Sequence, residues 1–280
     1  MSNLPTQHHR MNAHARHREK TLTVLLWVLR FRWTCASVID DLLGGNGTLR
    51  MLIKRGLLVE HRIPDPFSQV RYYVTVGAKG LELVARYLAA VRRDEHGPIA
   101  SMLGQNVTLP ARADGRIREH RFLHDLHLQR VLVEAIHATS VVNQLVLSDD
   151  LERLATPKRP SKIPDALIEV AVADSRDWCM VCVEVEFSRK NQREIDNFCA
   201  HYRGALADPN RKDFDALRIH CEDSLLQGWK LAMARTTIPK WVFVKERRAW
   251  VKLDAKHWHK FDAISAEDID KIVLPLPTWK

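Results

Sequence analysis

The chain has 280 residues, 46% hydrophobic and 28% charged, with a formal net charge of +9. That length suits two modest domains with packed cores, and a sequence pI near 9.5 points to a polyanionic partner. No apolar run approaches the roughly 20 residues of a membrane helix, and the polar start lacks the apolar stretch of a signal peptide, so no membrane association and a cytoplasmic location are expected. The odd set Cys35, Cys179, Cys182, Cys199 and Cys221 suits free buried thiols in a reducing compartment.

Residues 1–20 read as a disordered basic arm. His8, His9, His14 and His17 fall at irregular spacing without cysteine partners, which favours an arm over a metal site.

Residues 21–93 read as a winged helix-turn-helix that contacts duplex DNA. Leu22, Leu25, Leu26 and Leu29 make one apolar helix, and Thr34 is placed to cap a second over residues 35–43. Gly44-Gly45-Asn46-Gly47 makes a sharp turn, and Gly56 ends a third helix over residues 48–55. Strands begin at Leu57 and Arg71, with Pro64, Asp65 and Pro66 breaking the chain between them, and an amphipathic helix spans residues 77–88. Thr48, Arg50, Lys54 and Arg55 on the third helix, with Arg62 and Arg71 on the hairpin, suit phosphate contact. The plainer alternatives are a scaffold with a solvated basic face, or a winged helix that binds protein.

Residues 94–117, with Gly97, Pro98, Gly104, Pro110 and Gly115, read as a linker whose patch 99–103 is apolar enough to dock. Residues 118–280 read as an α/β domain. Phe122, Leu126, Val131 and Leu132 lie on a helix, and strands are expected over 141–147, 165–172 and 178–187. A helix over 193–206, a strand over 217–221, a helix over 225–234 and a strand over 241–245 follow.

The chemistry-bearing pattern lies on the second and third of those strands. Pro164-Asp165 opens one, and Glu184-Val185-Glu186 lies on the next, where residues two apart share a face. Glu184, Glu186 and Ser188 therefore point together, and Lys190 follows. Asp165 and Glu184 are the candidate ligands of a Mg²⁺ ion, since hard cations take oxygen ligands and phosphoryl transfer needs charge neutralised. This spacing resembles the PD-(D/E)-x-K nuclease superfamily, which implies Asp165, Glu184 and the position of Glu186 as catalytic, the last normally lysine. Lys190 is the candidate replacement, and Glu119, Asp125 or Glu134 the candidate acid of an upstream helix. The alternative is a polar network without metal. Three acids then need a neutralising partner, for which Lys162, Arg189, Lys190 and His124 are candidates. His120 and His124 have the i, i+4 spacing of metal ligands, but helix histidines bonding carboxylates are the favoured reading.

Trp229, Trp241, Trp250 and Trp258 interleave with cations near the C-terminus. Trp241 and Trp250 are expected in the core of a hairpin, with Lys245, Arg247 and Arg248 at its tip as DNA contacts.

The chain resembles the replication-relaxation family of plasmids and integrative elements. The resemblance lies in residues 29–34 and 52–58, in His124-Asp125-Leu126, in Pro164-Asp165 and in residues 184–188, and covers roughly residues 20–205. It implies an N-terminal winged helix-turn-helix followed by a PD-(D/E)-x-K restriction-endonuclease-like α/β domain. It also implies a DNA-binding accessory role in conjugative mobilisation or plasmid replication, without cleavage. Double-stranded DNA, a relaxase or other relaxosome or replication proteins, and a second copy of the chain are the expected partners. No cofactor is expected, or Mg²⁺ if the site is active. A Mg²⁺-dependent endonuclease and a transcriptional repressor are the alternatives.

Overall fold

A computed structural model describes residues 13–63, 70–89, 98–105, 107, 109–110, 121–138, 142–154, 162–172, 177–208 and 214–277. It is a mixed α+β protein in two compact units, Met1–Ile117 and Arg118–Lys280. Among the described residues, no helix is long and apolar enough to cross a membrane.

The first unit is built round helix α1 (Ala13–Phe31). Every residue from Thr21 to Val28 is buried, so its second half is covered on all sides. It begins well before Leu22: residues 13–20 are helix, correcting their reading as part of a disordered arm. His8 and His9 lie outside the described residues. Helix α2 (Ala36–Leu43) turns Val38, Ile39 and Leu42 inward. Gly44 stops it at φ 61°, a left-handed conformation that costs a residue with a Cβ, with its N–H on the Asp41 carbonyl at 3.1 Å.

Thr34 does not cap this helix. Cys35 holds that position without a side-chain bond, and Thr34 instead exchanges backbone bonds of 3.1 and 2.8 Å with Val74. Helix α3 (Thr48–Lys54) buries Leu49 and Leu52. Strands β1 (Leu58–Arg62) and β2 (Tyr72–Val76) pair antiparallel, Leu58 opposite Val76 and Arg62 opposite Tyr72. The expected tip at Pro64, Asp65 and Pro66 lies outside the described residues.

Helix α4 (Ala78–Ala89) passes so close to the chain at Leu57 that only glycine fits at position 80. The stretch expected as linker contains helix α5 (Pro98–Gly104), which packs on α1 with Ala100, Met102 and Leu103 buried. Arg30 of α1 donates to the Gln105 carbonyl at 2.6 Å.

In the second unit, helix α6 (Phe122–Ala138), strand β3 (Val142–Leu147), a short helix α7 (Ser148–Leu154) absent from the sequence reading, and strands β4 (Ala166–Ala171) and β5 (Trp178–Glu186) come first. Helix α8 (Gln192–Ala207), strand β6 (Ala216–Cys221) and helix α9 (Asp223–Ala234) follow. The chain then forms β7 (Thr237–Ile238), a hairpin of β8 (Trp241–Val244) and β9 (Ala249–Lys252), β10 (His259–Lys260), α10 (Ala266–Ile272) and β11 (Val273–Pro275).

The five-stranded sheet has the order β11-β6-β5-β4-β3. β3, β4 and β5 are antiparallel neighbours, whereas β6 runs parallel to both β5 and β11. A parallel pair needs a crossover, and α8 supplies it between β5 and β6. β5 is thus central, and Val181–Glu186 is buried throughout, as a strand covered on both faces requires. Cys182, Phe198, Tyr202, Leu217 and Trp229 belong to the core that α8 and α9 make with the sheet. An Asn191–Glu194 capping box starts α8.

Candidate functional site

The end of β5 gathers most of the charge that the sequence singled out in this unit. Asp165 stands just before β4, and its Oδ2 accepts the Val185 backbone N–H at 2.9 Å. The same oxygen lies 3.1 Å from Nε2 of His124 on α6. Nδ1 of that ring lies 3.3 Å from Asp125. Glu184 and Glu186 are 2% and 4% exposed, and such burial of a carboxylate requires partners. Lys162 donates to Glu184 at 3.0 Å and lies 4.0 Å from Glu186. Lys190 reaches back from beyond the strand to Glu186, and the Tyr202 hydroxyl on α8 donates to the other oxygen of Glu184. Asp165, Glu184 and Glu186 are therefore matched one for one by His124, Lys162 and Lys190. They line a cleft of about 280 Å³ that also admits Arg121, Phe187 and Ser188.

The electrostatics follow from this pairing. Burial alone would depress His124, but hydrogen bonds to Asp125 and Asp165 and their negative charges outweigh it and hold the imidazole at about 9. Burial opposes ionisation of Asp165, yet the His124 bond and charge, the Val185 N–H and Lys162 keep it below its usual range. Glu184 is pushed up to about 7 by burial and by Asp165, with Lys162 pulling the other way.

As arranged, these residues do not fit a divalent metal. Both oxygens of Glu184 are taken, one by an ammonium and one by a hydroxyl, and a cation there would have to displace Lys162. Among the described residues, no group of three His, Cys, Asp or Glu converges on a metal position. Of the candidate helix acids, Asp125 pairs with His124, Glu134 is exposed on α6, and Glu119 lies outside the described residues, as does His120. Arg189 is exposed.

Sequence reasoning missed Tyr202, which looks like an ordinary core aromatic. The available signal was chemical: a buried phenol needs a partner for its hydroxyl. It also missed Asp196 on α8, fully buried, which accepts from Gln192 at 2.8 Å, Arg235 at 2.8 Å and Trp241 at 2.9 Å.

In the first unit, Arg50 and Lys54 of α3 and Arg55 directly after it are exposed, as are Arg62 and Arg71 at the far end of the β1–β2 hairpin. Thr48, at the start of α3, is half-buried. Arg55 bonds His17 of α1 at 2.9 Å, so the first turns of α1, with Arg16, Arg18 and Lys20 also exposed, lie beside this face. Lys245, Arg247 and Arg248 form the exposed turn between β8 and β9, in the second unit. Trp241 is half-buried, but Trp250 is 44% exposed, correcting its expected place in a core.

The molecule is thus a two-unit α+β protein with a basic helical face in one unit and a buried, internally neutralised ion-pair cluster in the other. No family profile, curated protein or solved structure matches it.

Proposed function

We propose that this chain is a DNA-binding accessory factor of the replication-relaxation type, acting in conjugative mobilisation or plasmid replication. It grips duplex DNA through a winged helix-turn-helix in its first unit and does not cut. The single observation that carries the reading is the exposed cationic face of α3, Arg50, Lys54 and Arg55, backed by a buried apolar side. Three helices, then a hairpin with Arg62 and Arg71 at the end where its strands are connected, is the order in which a recognition helix enters a groove while a wing tracks phosphate. The net charge of +9 supports a polyanionic partner.

On this reading the second unit is a nuclease-like platform that holds rather than cleaves. Support comes from Lys162 and Lys190, whose ammonium groups already satisfy Glu184 and Glu186 where a nuclease would place a metal. The sheet order, with a helix crossing between two parallel central strands next to an antiparallel edge, is compatible with that fold.

A gel-shift titration at low salt tests the binding claim. Retardation of a 30-base-pair duplex, lost on adding salt, is expected, and no shift at low salt would falsify it. Incubation of the protein with supercoiled plasmid and Mg²⁺ or Mn²⁺ tests the second claim. Plasmid left intact is expected; nicking that Asp165→Ala abolishes would make the chain an endonuclease instead.

A further inference from the structure

We infer that the β8–β9 hairpin is a binding platform for single-stranded nucleic acid. The register sets Phe243 opposite Trp250 and Trp241 opposite Lys252. Residues 241 and 243 lie two apart on one strand, so all four share a face. The inner end of that face is anchored by the Trp241 indole on the buried Asp196 carboxylate at 2.9 Å. The outer end is left open: Phe243 and Trp250 are 49% and 44% exposed. Their rings meet edge to face, centroids 5.6 Å apart at 62°. The Arg193 guanidinium lies 4.9 Å from the Trp250 centroid, and the adjoining turn exposes Lys245, Arg247 and Arg248 with Glu246 as its one acid.

Scattered exposed apolar side chains are ordinary, but an aromatic pair in mutual contact beside guanidinium and ammonium groups suits one kind of ligand. It must offer flat π-faces to the rings and a row of negative charges to the turn. An unpaired strand offers both, since its bases can leave the stack and lie on aromatic rings while cations follow the phosphates. A duplex offers only the charges, its base faces being buried in the stack. An acidic peptide likewise brings charge without a plane to stack. This site lies in the second unit, is independent of the duplex contact proposed for α3, and adds a strand-holding activity to it.

The test uses the full chain and fluorescently labelled oligomers of dT, rU and a blunt duplex, read by anisotropy. Single strands are expected to bind. Phe243→Ala/Trp250→Ala should raise the dT dissociation constant by about tenfold or more, the range that losing base–aromatic stacking gives. Lys245→Ala/Arg247→Ala/Arg248→Ala should lower the salt slope for dT by about 2, at ~0.7 per phosphate contact. The aromatic change should leave duplex affinity unaltered, because a duplex offers no base face to stack, and Arg50→Ala/Lys54→Ala should leave dT binding intact. Binding of dT over rU, or the reverse, identifies the strand type, and either supports the platform. If the double aromatic variant loses its circular dichroism signal, Trp250→Phe replaces it, with loss of dT-induced tryptophan quenching as the readout. No single-strand binding by the wild type, dT affinity indifferent to both hairpin variants, or displacement by polyglutamate as readily as by unlabelled dT would overturn the inference. Failure of the duplex arm alone counts against the α3 proposal and leaves this one standing.

Discussion

His124 holds each of its ring nitrogens against a carboxylate, the geometry of a doubly protonated imidazolium. Its folded pKa of about 9 lies above the ordinary 6.5, so its pairing stabilises the fold fully below pH 6.5 and loses that contribution as pH rises through 9. The stability gap between wild type and His124→Gln, from urea denaturation, should be constant near pH 6 and close by pH 9.5. A gap that widens with pH would contradict the assignment. Lys162 is the complementary case. Removing it as Lys162→Met leaves the buried Glu184 uncompensated, at a cost of about 3 kcal/mol near pH 8. Because Glu184 titrates at about 7, it takes up a proton in acid and the cost should shrink by pH 5. Adding Glu184→Gln should restore much of the loss, and a single-variant cost that ignores pH would show that the pair is not the cause. Glu184, Glu186 and Asp165 were legible in the sequence because strand alternation has a period of two. Lys190 could be named as a candidate only by its nearness. Tyr202, 18 positions from the Glu184 it bonds, belongs to the apolar face of a helix and carries no local mark of its role.

At the scale of elements, α3 and the β1–β2 hairpin follow the glycine and strand signals closely, since turn chemistry and alternation act within a few residues. Thr34 shows the limit. Its sequence context suits a helix cap, but pairing with Val74, forty positions away, decides its conformation. Gly97, Pro98 and Gly104 give the stretch the look of a linker and hide helix α5, while the apolar patch at 99–103, read as able to dock, packs on α1. The hydrophobicity of Trp250 suggests a core, whereas only the Trp241 end of that face is packed against α8, and Trp250 stays 44% exposed with Arg193 beside its ring. Gly80 gives the sharpest test of element packing. A methyl group there would meet the Leu57 carbonyl oxygen and sit 2.8 Å from Val76 Cγ1. Despite the better helix propensity of alanine, Gly80→Ala should destabilise the protein by about 2 kcal/mol, the range for overpacking, and lower the first thermal transition. An unchanged or raised transition would mean that α4 does not press on Leu57.

For the whole molecule, the two units divide the chemistry. The first presents arginine and lysine on a short helix over an apolar core; the second places its acids inside and balances them with its own cations. The chain divides into Met1–Ile117 and Arg118–Lys280, and residues 90–97 and 111–120 lie outside the described residues. If the first unit grips duplex DNA as proposed, the salt dependence of duplex affinity registers it. Wild type and Arg50→Ala/Lys54→Ala/Arg55→Ala should be compared by anisotropy on one duplex across the same salt series. The variant should bind more weakly, with a slope of log affinity against log salt shallower by about 2–3, at ~0.9 per lost phosphate contact. Identical slopes for the two proteins would contradict it.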